Sequence, residues 1–287
     1  MSIFSWNCQG AGSSSFLRTL KTFLQVHKPI IVILLEPRIS GEKADKVMKK
    51  IGYTHSHRVE ATGFSGGIWI FWNNGWSVDI LGNNSQWIHR GIFHNCLMEA
   101  TAIYASPHSQ KRNSIWNELE QLMTFINNRW LLIGDFNAIR SREERFGGSQ
   151  RRSGIDKKFS QWFLQSNLVD MGYRGARFTW KRGMLLERLD RALCNEAWNL
   201  RFPDYAVIHL ARISSDHRPI LDNITDGFTR DNSRSPFRFQ AAWLTHVDFN
   251  PFAASVLKNS TSFSDNIANF SQCLSIWKTN VFGNVFK

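Results

Sequence analysis

At 287 residues the chain exceeds the usual size of one domain, and one large α/β domain with a tail suits that length better than several small modules. Hydrophobic residues make up 43%, with 12 Trp and 22 Phe among the aromatics, which excludes disorder throughout the chain. Lys and Arg number 35 against 23 Asp and Glu, and the net charge of +12 favours polyanionic partners through phosphate contacts without naming the polyanion.

Residues 2–6 read as a short strand, and residues 8–15, rich in Gly and Ser, as the loop after it. Phe16, Leu17, Leu20, Phe23 and Leu24 recur at helical spacing until Pro29, after which residues 30–35 form a buried strand ending at Glu36. A βαβ unit is therefore expected near the start. Ala44, Val47, Met48 and Ile51 mark a second helix, and GIWIFWNN, WSVDILGNN, WIHRGIF and LMEATAIY read as successive antiparallel strands. Ile115, Trp116, Leu119, Leu122, Met123 and Ile126 predict a long helix before the strand WLLIG, which delivers Asp135 and Asn137 to a loop. A further helix is expected around Ile155, Phe159, Trp162 and Phe163, then short strands at 178–180, 188–193 and 205–210 and a turn at SSDHRP. Helices bracketing two groups of strands imply two packed, mainly antiparallel sheets with helices on the outer faces.

From residue 222 to 236 the composition turns polar and rich in turn formers, so a boundary is placed there: residues 1–222 as the main domain, 223–236 as linker, 237–287 as a helical tail. Cys8, Cys96, Cys194 and Cys273 lie far apart, with no C-x-x-C pair, and read as reduced core thiols. No signal peptide is recognised, and the longest apolar run, residues 29–35, falls far short of the ~20 residues a membrane span requires. An intracellular protein without membrane partners is the expectation.

Polar residues stand immediately after strongly apolar runs at several points, where a scaffold holds them rigidly. They are Asn7 in SWNCQG, Glu36 in ILLEPR, Tyr104 in AIYASP, Asp135 and Asn137 in IGDFN, Asp190 in RLDR, and Asp216 and His217 in SSDH. Each alone is ordinary as a turn cap or strand edge. Together they offer carboxylates and amides suited to a hard divalent cation, one imidazole, and acids able to orient it.

With those residues in place, the chain resembles the endonuclease/exonuclease/phosphatase superfamily, which includes apurinic/apyrimidinic endonucleases, pancreatic-type deoxyribonucleases and inositol polyphosphate phosphatases. The motifs run in order over residues 2 to about 222. SWNCQGAG, LLEPRISG, GDFNAI, FTW, RLDRAL and SDHRPI are especially similar to the endonuclease of plant LINE-type (non-LTR) retroelements. PFRFQAAWL and IWKTNVFGNVFK resemble the segment that joins such endonucleases to a reverse transcriptase, no motif of which appears in this chain.

The resemblance implies a four-layer α/β sandwich of the deoxyribonuclease I type and an endonuclease that nicks DNA to leave a 3′-hydroxyl. It implies Mg²⁺ or Mn²⁺ held by Glu36 with Asn7 close by and Asp216 as a secondary ligand. It makes Asp135 the residue that activates water and Asn137 its support. His217 would stabilise charge on the phosphoryl oxygens, oriented by Asp190, and Tyr104 would offer its phenol to the phosphate. Thr179 and Ser215 match positions that contact the DNA backbone in related enzymes. Where many relatives place a second acidic or polar residue two positions after the first Asn, this chain has Gln9.

Arg140, Arg142 and Arg145, then Arg151 and Arg152, and later Arg174, Arg177, Lys181 and Arg182 read either as solvated faces or as backbone contacts, with Arg142, Arg145 and Arg177 as the candidates. Trp180 either stacks on a base or fills the core. Two rival readings stand beside the nuclease: a phosphomonoesterase of the same fold, and an inactive copy that binds nucleic acid by charge alone. DNA is the expected partner, with a reverse transcriptase as a second one outside this chain, and a chromosomal substrate implies the nucleus.

Overall fold

The structure is a computed structural model and describes residues 1–63, 65–94, 96–148, 154–224, 247–257 and 263–282. The expected linker falls mostly on residues 225–236, and Arg151 and Arg152 also lie outside the described residues. By its internal contacts the chain divides into two compact units, Met1–Arg230 and Asp231–Lys287.

The first unit opens with β1 (Ser2–Asn7), α1 (Ser14–His27) and β2 (Ile31–Leu35), the βαβ unit expected from the spacing of apolar residues. Ser13 caps α1 by accepting a hydrogen bond from the Phe16 N–H, and Lys28 closes it in the left-handed conformation. There follow α2 (Gly41–Ile51), β3 (His55–Val59), β4 (Ile68–Trp72), β5 (Ser77–Asn83), β6 (Trp87–His94), β7 (Cys96–Tyr104), α3 (Ser109–Met123) and β8 (Arg129–Asp135). Beyond them lie β9 (Arg145–Phe146), α4 (Lys157–Gln165), β10 (Val169–Asp170), β11 (Arg174–Gly175), β12 (Trp180–Arg182), β13 (Leu185–Glu187), β14 (Asp190–Cys194), α5 (Glu196–Arg201), β15 (Ala206–His209) and β16 (Ile220–Asn223).

Two mixed sheets result. One runs β11-β15-β16-β1-β2-β4-β3 and the other β10-β14-β8-β7-β6-β5. Most neighbours are antiparallel, but β1 and β2 pair in parallel, as do β7 and β8 and the short β11 with β15. Alternate residues of both sheets meet in a shared core that includes Ile3, Ile33, Ile70, Ile92, Ala102 and Ile133. The outer face of the first sheet is covered by Phe16, Leu20 and Phe23 of α1 with Ala44 and Ile51 of α2. Ile115, Trp116 and Leu119 of α3 and Phe159 and Trp162 of α4 cover the second. Four layers, helix, sheet, sheet, helix, are the outcome. A third, small sheet, β12-β13-β9, has strands of only two or three residues and was not legible as periodicity.

One residue breaks the pattern of the central core. Arg90 alternates along β6 with the core residues Ile88 and Ile92, pairs with Ala100 of β7, and is completely buried. None of its guanidinium nitrogens has a hydrogen-bond partner among the described residues, and burial draws its pKa down to about 9. Cys8 and Cys194 are buried and stand outside any disulfide.

The second unit contributes α6 (Phe249–Val256) and α7 (Phe263–Phe282), which share a small cluster of Phe249, Phe252, Phe270, Leu274 and Trp277. Among the described residues no helix is long and apolar enough to cross a membrane.

Candidate active site

The strand directions bring the chemistry-bearing residues to one rim of the sandwich. Because β1 and β2 are parallel with Asn7 opposite Leu35, Asn7 and the following Glu36 emerge at the same end. In the second sheet Tyr104 pairs with Asp135 across the parallel β7 and β8, and Asp190 pairs with Asp135 across β14. A continuous hydrogen-bonded array joins the two groups. The side-chain N–H₂ of Asn7 donates to Glu36 Oε2 at 3.1 Å and to Asp135 Oδ2 at 2.9 Å, spanning both sheets.

Asp135 is completely buried and accepts three further contacts: the Asn137 backbone N–H on Oδ1 at 2.9 Å, the Asn137 side chain on Oδ2 at 2.9 Å, and His217 Nε2 at 3.8 Å. His217 lies 2.8 Å through Nδ1 from Asp190 Oδ2, so the imidazole is fixed between two carboxylates. Asp190, His217 and Asp135 each offer one ligand atom within 4.8 Å of the others, an arrangement able to hold a metal ion as well as to relay a proton.

The electrostatics follow from burial and neighbours. Burial, and then the charge of Asp190, push the Asp135 carboxyl up to about 7 against the opposing pull of His217, Asn7 and Asn137. For His217 burial alone would disfavour the imidazolium, but Asp190 and Asp135 outweigh it and raise the pKa to about 9. Tyr104 is raised by burial and by the charges of Glu36 and Asp135, so its phenol keeps its proton.

Glu36 is held at its other oxygen by Arg38, whose Nε and Nη2 donate to Oε1 at 2.9 and 2.6 Å. Arg38 stands in the LLEPRISG motif, yet its two-residue offset from Glu36 gave no hint of this return contact, which requires a left-handed backbone at both residues. Seven non-glycine residues have positive φ among those described, and five of them, Gln9, Glu36, Arg38, Asn137 and Ser214, lie in the loops around this array. Strain concentrated this way is a mark of a functional site.

The remaining expected residues fall into three groups. Asp216 lies within reach of the array: its Oδ2 accepts from Gln9 Nε2 at 2.8 Å and from the Trp180 indole N–H at 2.9 Å, while Oδ1 is buried without a hydrogen-bond partner. Trp180 is therefore neither in the core nor free to stack, but half-buried and anchored beside His217. Thr179 and Ser215 turn inward. Thr179 is fully buried, its hydroxyl accepting from the backbone N–H groups of Leu189 and Asp190, so that side chain has no surface to offer DNA and instead fixes the approach to Asp190. Ser215 donates to the Asn7 carbonyl at 2.8 Å and accepts from the His217 N–H.

Among the basic residues, Arg142 is exposed, Arg145 pairs with Glu187 at 2.7 Å, and Arg177 lies on the surface with Nη2 on the Glu143 carbonyl. Arg140 points inward. With Arg188 and Arg191 it surrounds Asp170 and Glu144 beneath this surface, where burial would raise the Asp170 carboxyl but the three cations hold it well below the usual carboxylate range.

Oxygen donors dominate the rim, Asn7 and Glu36 with Asp135 and Asp216 beyond, which suits a hard cation such as Mg²⁺. The Arg38 guanidinium against Glu36, and Asp216 Oδ1, which has no hydrogen-bond partner among the described residues and lies 4.0 Å from His217 Nε2, both fit a place where positive charge is received.

A family model described as Endonuclease/Exonuclease/phosphatase family matches residues 4–217. No curated protein matches the sequence significantly. Solved structures match at the level of the fold. The 3′ phosphatase NExo from Neisseria, bound to product DNA hairpin, superposes with a TM-score of 0.61 at 18% identity, covering 78% of this chain and 99% of its own. An AP endonuclease from Archaeoglobus fulgidus gives 0.61 at 15% identity, with 78% and 99% covered. The endonuclease domain of TRAS1, a telomere-specific non-LTR retrotransposon, gives 0.58 at 15% identity, with 78% and 97% covered.

Proposed function

The chain belongs to the endonuclease/exonuclease/phosphatase family of hydrolytic enzymes, and from that premise we propose that it is a divalent-metal-dependent endonuclease that hydrolyses a DNA phosphodiester and leaves a nick with a 3′-hydroxyl. The observation that supports this reading is the run of contacts Asp190, His217, Asp135, Asn7, Glu36, hydrogen bonds except for the 3.8 Å ion pair of His217 with Asp135, along which a base, an acid and an oxygen-rich cation seat would share one rim.

Glu36 and Asn7, with Asp216 beyond, would hold Mg²⁺ or Mn²⁺. When bound, the ion would neutralise charge on the phosphate and polarise it for attack. Asp135, with its pKa near neutrality, takes a proton from the attacking water, and Asn137 keeps its carboxylate aimed. His217 stays an imidazolium at neutral pH because Asp190 compensates its charge, and its Nε2 meets the developing negative charge on the phosphoryl oxygens. Tyr104 supplies a neutral O–H donor. Attack at phosphorus expels the 3′ oxygen, which leaves as the hydroxyl. Arg142, Arg145 and Arg177 are the surface cations for the flanking phosphates; Ser215 and Thr179 contribute by holding Asn7, His217 and Asp190 in place.

Incubation with supercoiled plasmid and Mg²⁺ tests the assignment. Nicking is expected in the wild type, with Glu36→Ala and His217→Ala each losing roughly a hundred- to ten-thousandfold while DNA affinity is kept. A second reading draws support from the likeness to a 3′ phosphatase: hydrolysis of a phosphomonoester at a DNA 3′ end. Release of inorganic phosphate without nicking would select it. An intact protein that binds DNA but performs neither reaction would be the inactive remnant.

An origin in a non-LTR retroelement is supported by the likeness to the TRAS1 domain and by the plant-LINE-like motifs. On that reading the 3′-hydroxyl primes a reverse transcriptase acting as partner, in the nucleus, and residues 1–222 are the catalytic domain ahead of a connecting tail.

A further inference from the structure

Away from the rim, the small sheet carries a surface that the hydrolytic chemistry does not use. Phe146 on β9 is 60% exposed, and its ring lies 6.5 Å from that of Phe178 at a tilt of 35°. Arg177 covers Phe178, 5.3 Å from its ring centroid. The position of Phe146 is fixed from both sides: β9 pairs with β13 through Leu186 opposite Phe146, and the next residue, Gly147, passes so close to the Met184 carbonyl that a Cβ would stand 2.1 Å from it. A large aromatic ring held this rigidly and left in water is unfavourable for a monomer unless something covers it.

Its surroundings select the cover. Arg177 lies over Phe178, and exposed Lys181 shares the ladder row of Leu186 and Phe146, while Glu187 in the next row is engaged by Arg145. One open aromatic ring flanked by cations matches a nucleic-acid strand, whose bases stack and whose phosphates pair. The distance to the reacting centre can be counted in strands. His217 bridges Trp180, Trp180 pairs with Glu187, and Glu187 pairs with Arg145, so three steps of ~4.8 Å put the Phe146 backbone about 14 Å from His217. Along a nucleic-acid strand that span is roughly two to four nucleotides.

We propose that Phe146, backed by Phe178, is a stacking platform for an unpaired nucleobase roughly two to four nucleotides from the scissile phosphate, so that the preferred substrate is DNA with a single-stranded stretch on that side rather than continuous duplex. The inference rests on the endonuclease reading and deepens it to a substrate class. In a continuous duplex the base faces are already stacked on each other; only an unpaired base can give one face to Phe146.

The full chain, in EDTA, is titrated by fluorescence anisotropy against three fluorescein-labelled DNAs: intact duplex, duplex carrying a short single-stranded flap, and a flap with 2-aminopurine stepped through its positions. Wild type is expected to bind the flap on the order of tenfold more tightly than the duplex and to quench 2-aminopurine at one position. Phe146→Ala should lose the preference and the quench, and Phe146→Trp should keep both, with plasmid nicking in Mg²⁺ unchanged in each. Nicking by the wild type together with equal flap affinity in Phe146→Ala overturns the platform but leaves the endonuclease reading intact. Failure of the wild type to nick, with the base quench present, overturns the endonuclease reading alone. A protein partner on this face would show as no flap preference in the wild type, which also overturns the proposal. A matching melting curve for Phe146→Ala separates loss of stacking from loss of fold, and Phe146→Trp carries the test if it does not match.

Discussion

His217 and Asp135 titrate in the same direction, and the sign of their effect can be worked through. Each has a folded pKa above its ordinary value, so each contributes stability that is fully present at low pH and is lost as pH rises: for Asp135 across the interval from about 4 to about 7, for His217 from about 6.5 to about 9. Replacement by Asp135→Asn should therefore remove the lower part of this decline. The variant is expected to melt at or above the wild-type temperature at pH 8 while being inactive, checked by calorimetry at pH 5 and pH 8. Activity demands the opposite protonation of the two groups, a carboxylate at 135 and an imidazolium at 217, so kcat/KM should form a bell with limbs near 7 and 9. Asp190→Asn takes away a main support of the imidazolium. Its alkaline limb should move to lower pH and its maximum fall about 10- to 100-fold, whereas an unmoved limb in the pH–rate profile would detach Asp190 from His217. Most of these residues were legible because each follows a run of apolar residues that can only be a buried strand, as Asn7 follows IFSW and Asp135 follows WLLIG. Thr179 was singled out only by its match to a backbone-contacting position in related enzymes, and nothing in the sequence around it signals that its hydroxyl accepts two backbone N–H groups.

Among the elements, the parallel pairing of β7 and β8 is what sets Asp135 beside Tyr104, and it depends on one glycine. Gly134 has φ of +146°, and a Cβ there would stand 2.1 Å from the Ile103 carbonyl oxygen on the neighbouring strand. Gly134→Ala should force the strands apart immediately before the Asp135 carboxylate, at a cost of about 2–4 kcal/mol. Urea denaturation would check it, and a wild-type midpoint would mean that β8 can shift without harm. Long elements such as α1, β2, β8 and α3 were readable because many residues repeat one period. The β9, β12 and β13 ribbon was not, since two- and three-residue strands carry no repeat and are formed by their neighbours. The ion cluster of Arg140, Arg188, Arg191, Asp170 and Glu144 was hidden too. Its members are spread from residue 140 to residue 191, and a basic residue in a polar stretch gives no sign of which face it will turn to the solvent.

Taken whole, the first unit is a sandwich whose central core contains a guanidinium with no hydrogen-bond partner among the described residues. Arg90→Met keeps the length and removes the buried charge, and should stabilise by about 1–3 kcal/mol. That corresponds to several degrees in Tm for a unit of this size, and a lower Tm would mean that Arg90 has a partner in solution. The same architecture governs when activity first exists. The middle of the first sheet joins the two ends of the unit: β1 pairs with β16, and Ser215 holds the carbonyl of Asn7 from 208 residues away. As the polypeptide emerges from the ribosome, Asn7 and Glu36 precede both β16, the strand that borders β1, and the imidazole of His217. On the proposed function, a nascent chain that stops short of His217 and β16 lacks the assembled rim, and cleavage would wait until synthesis of the unit is finished.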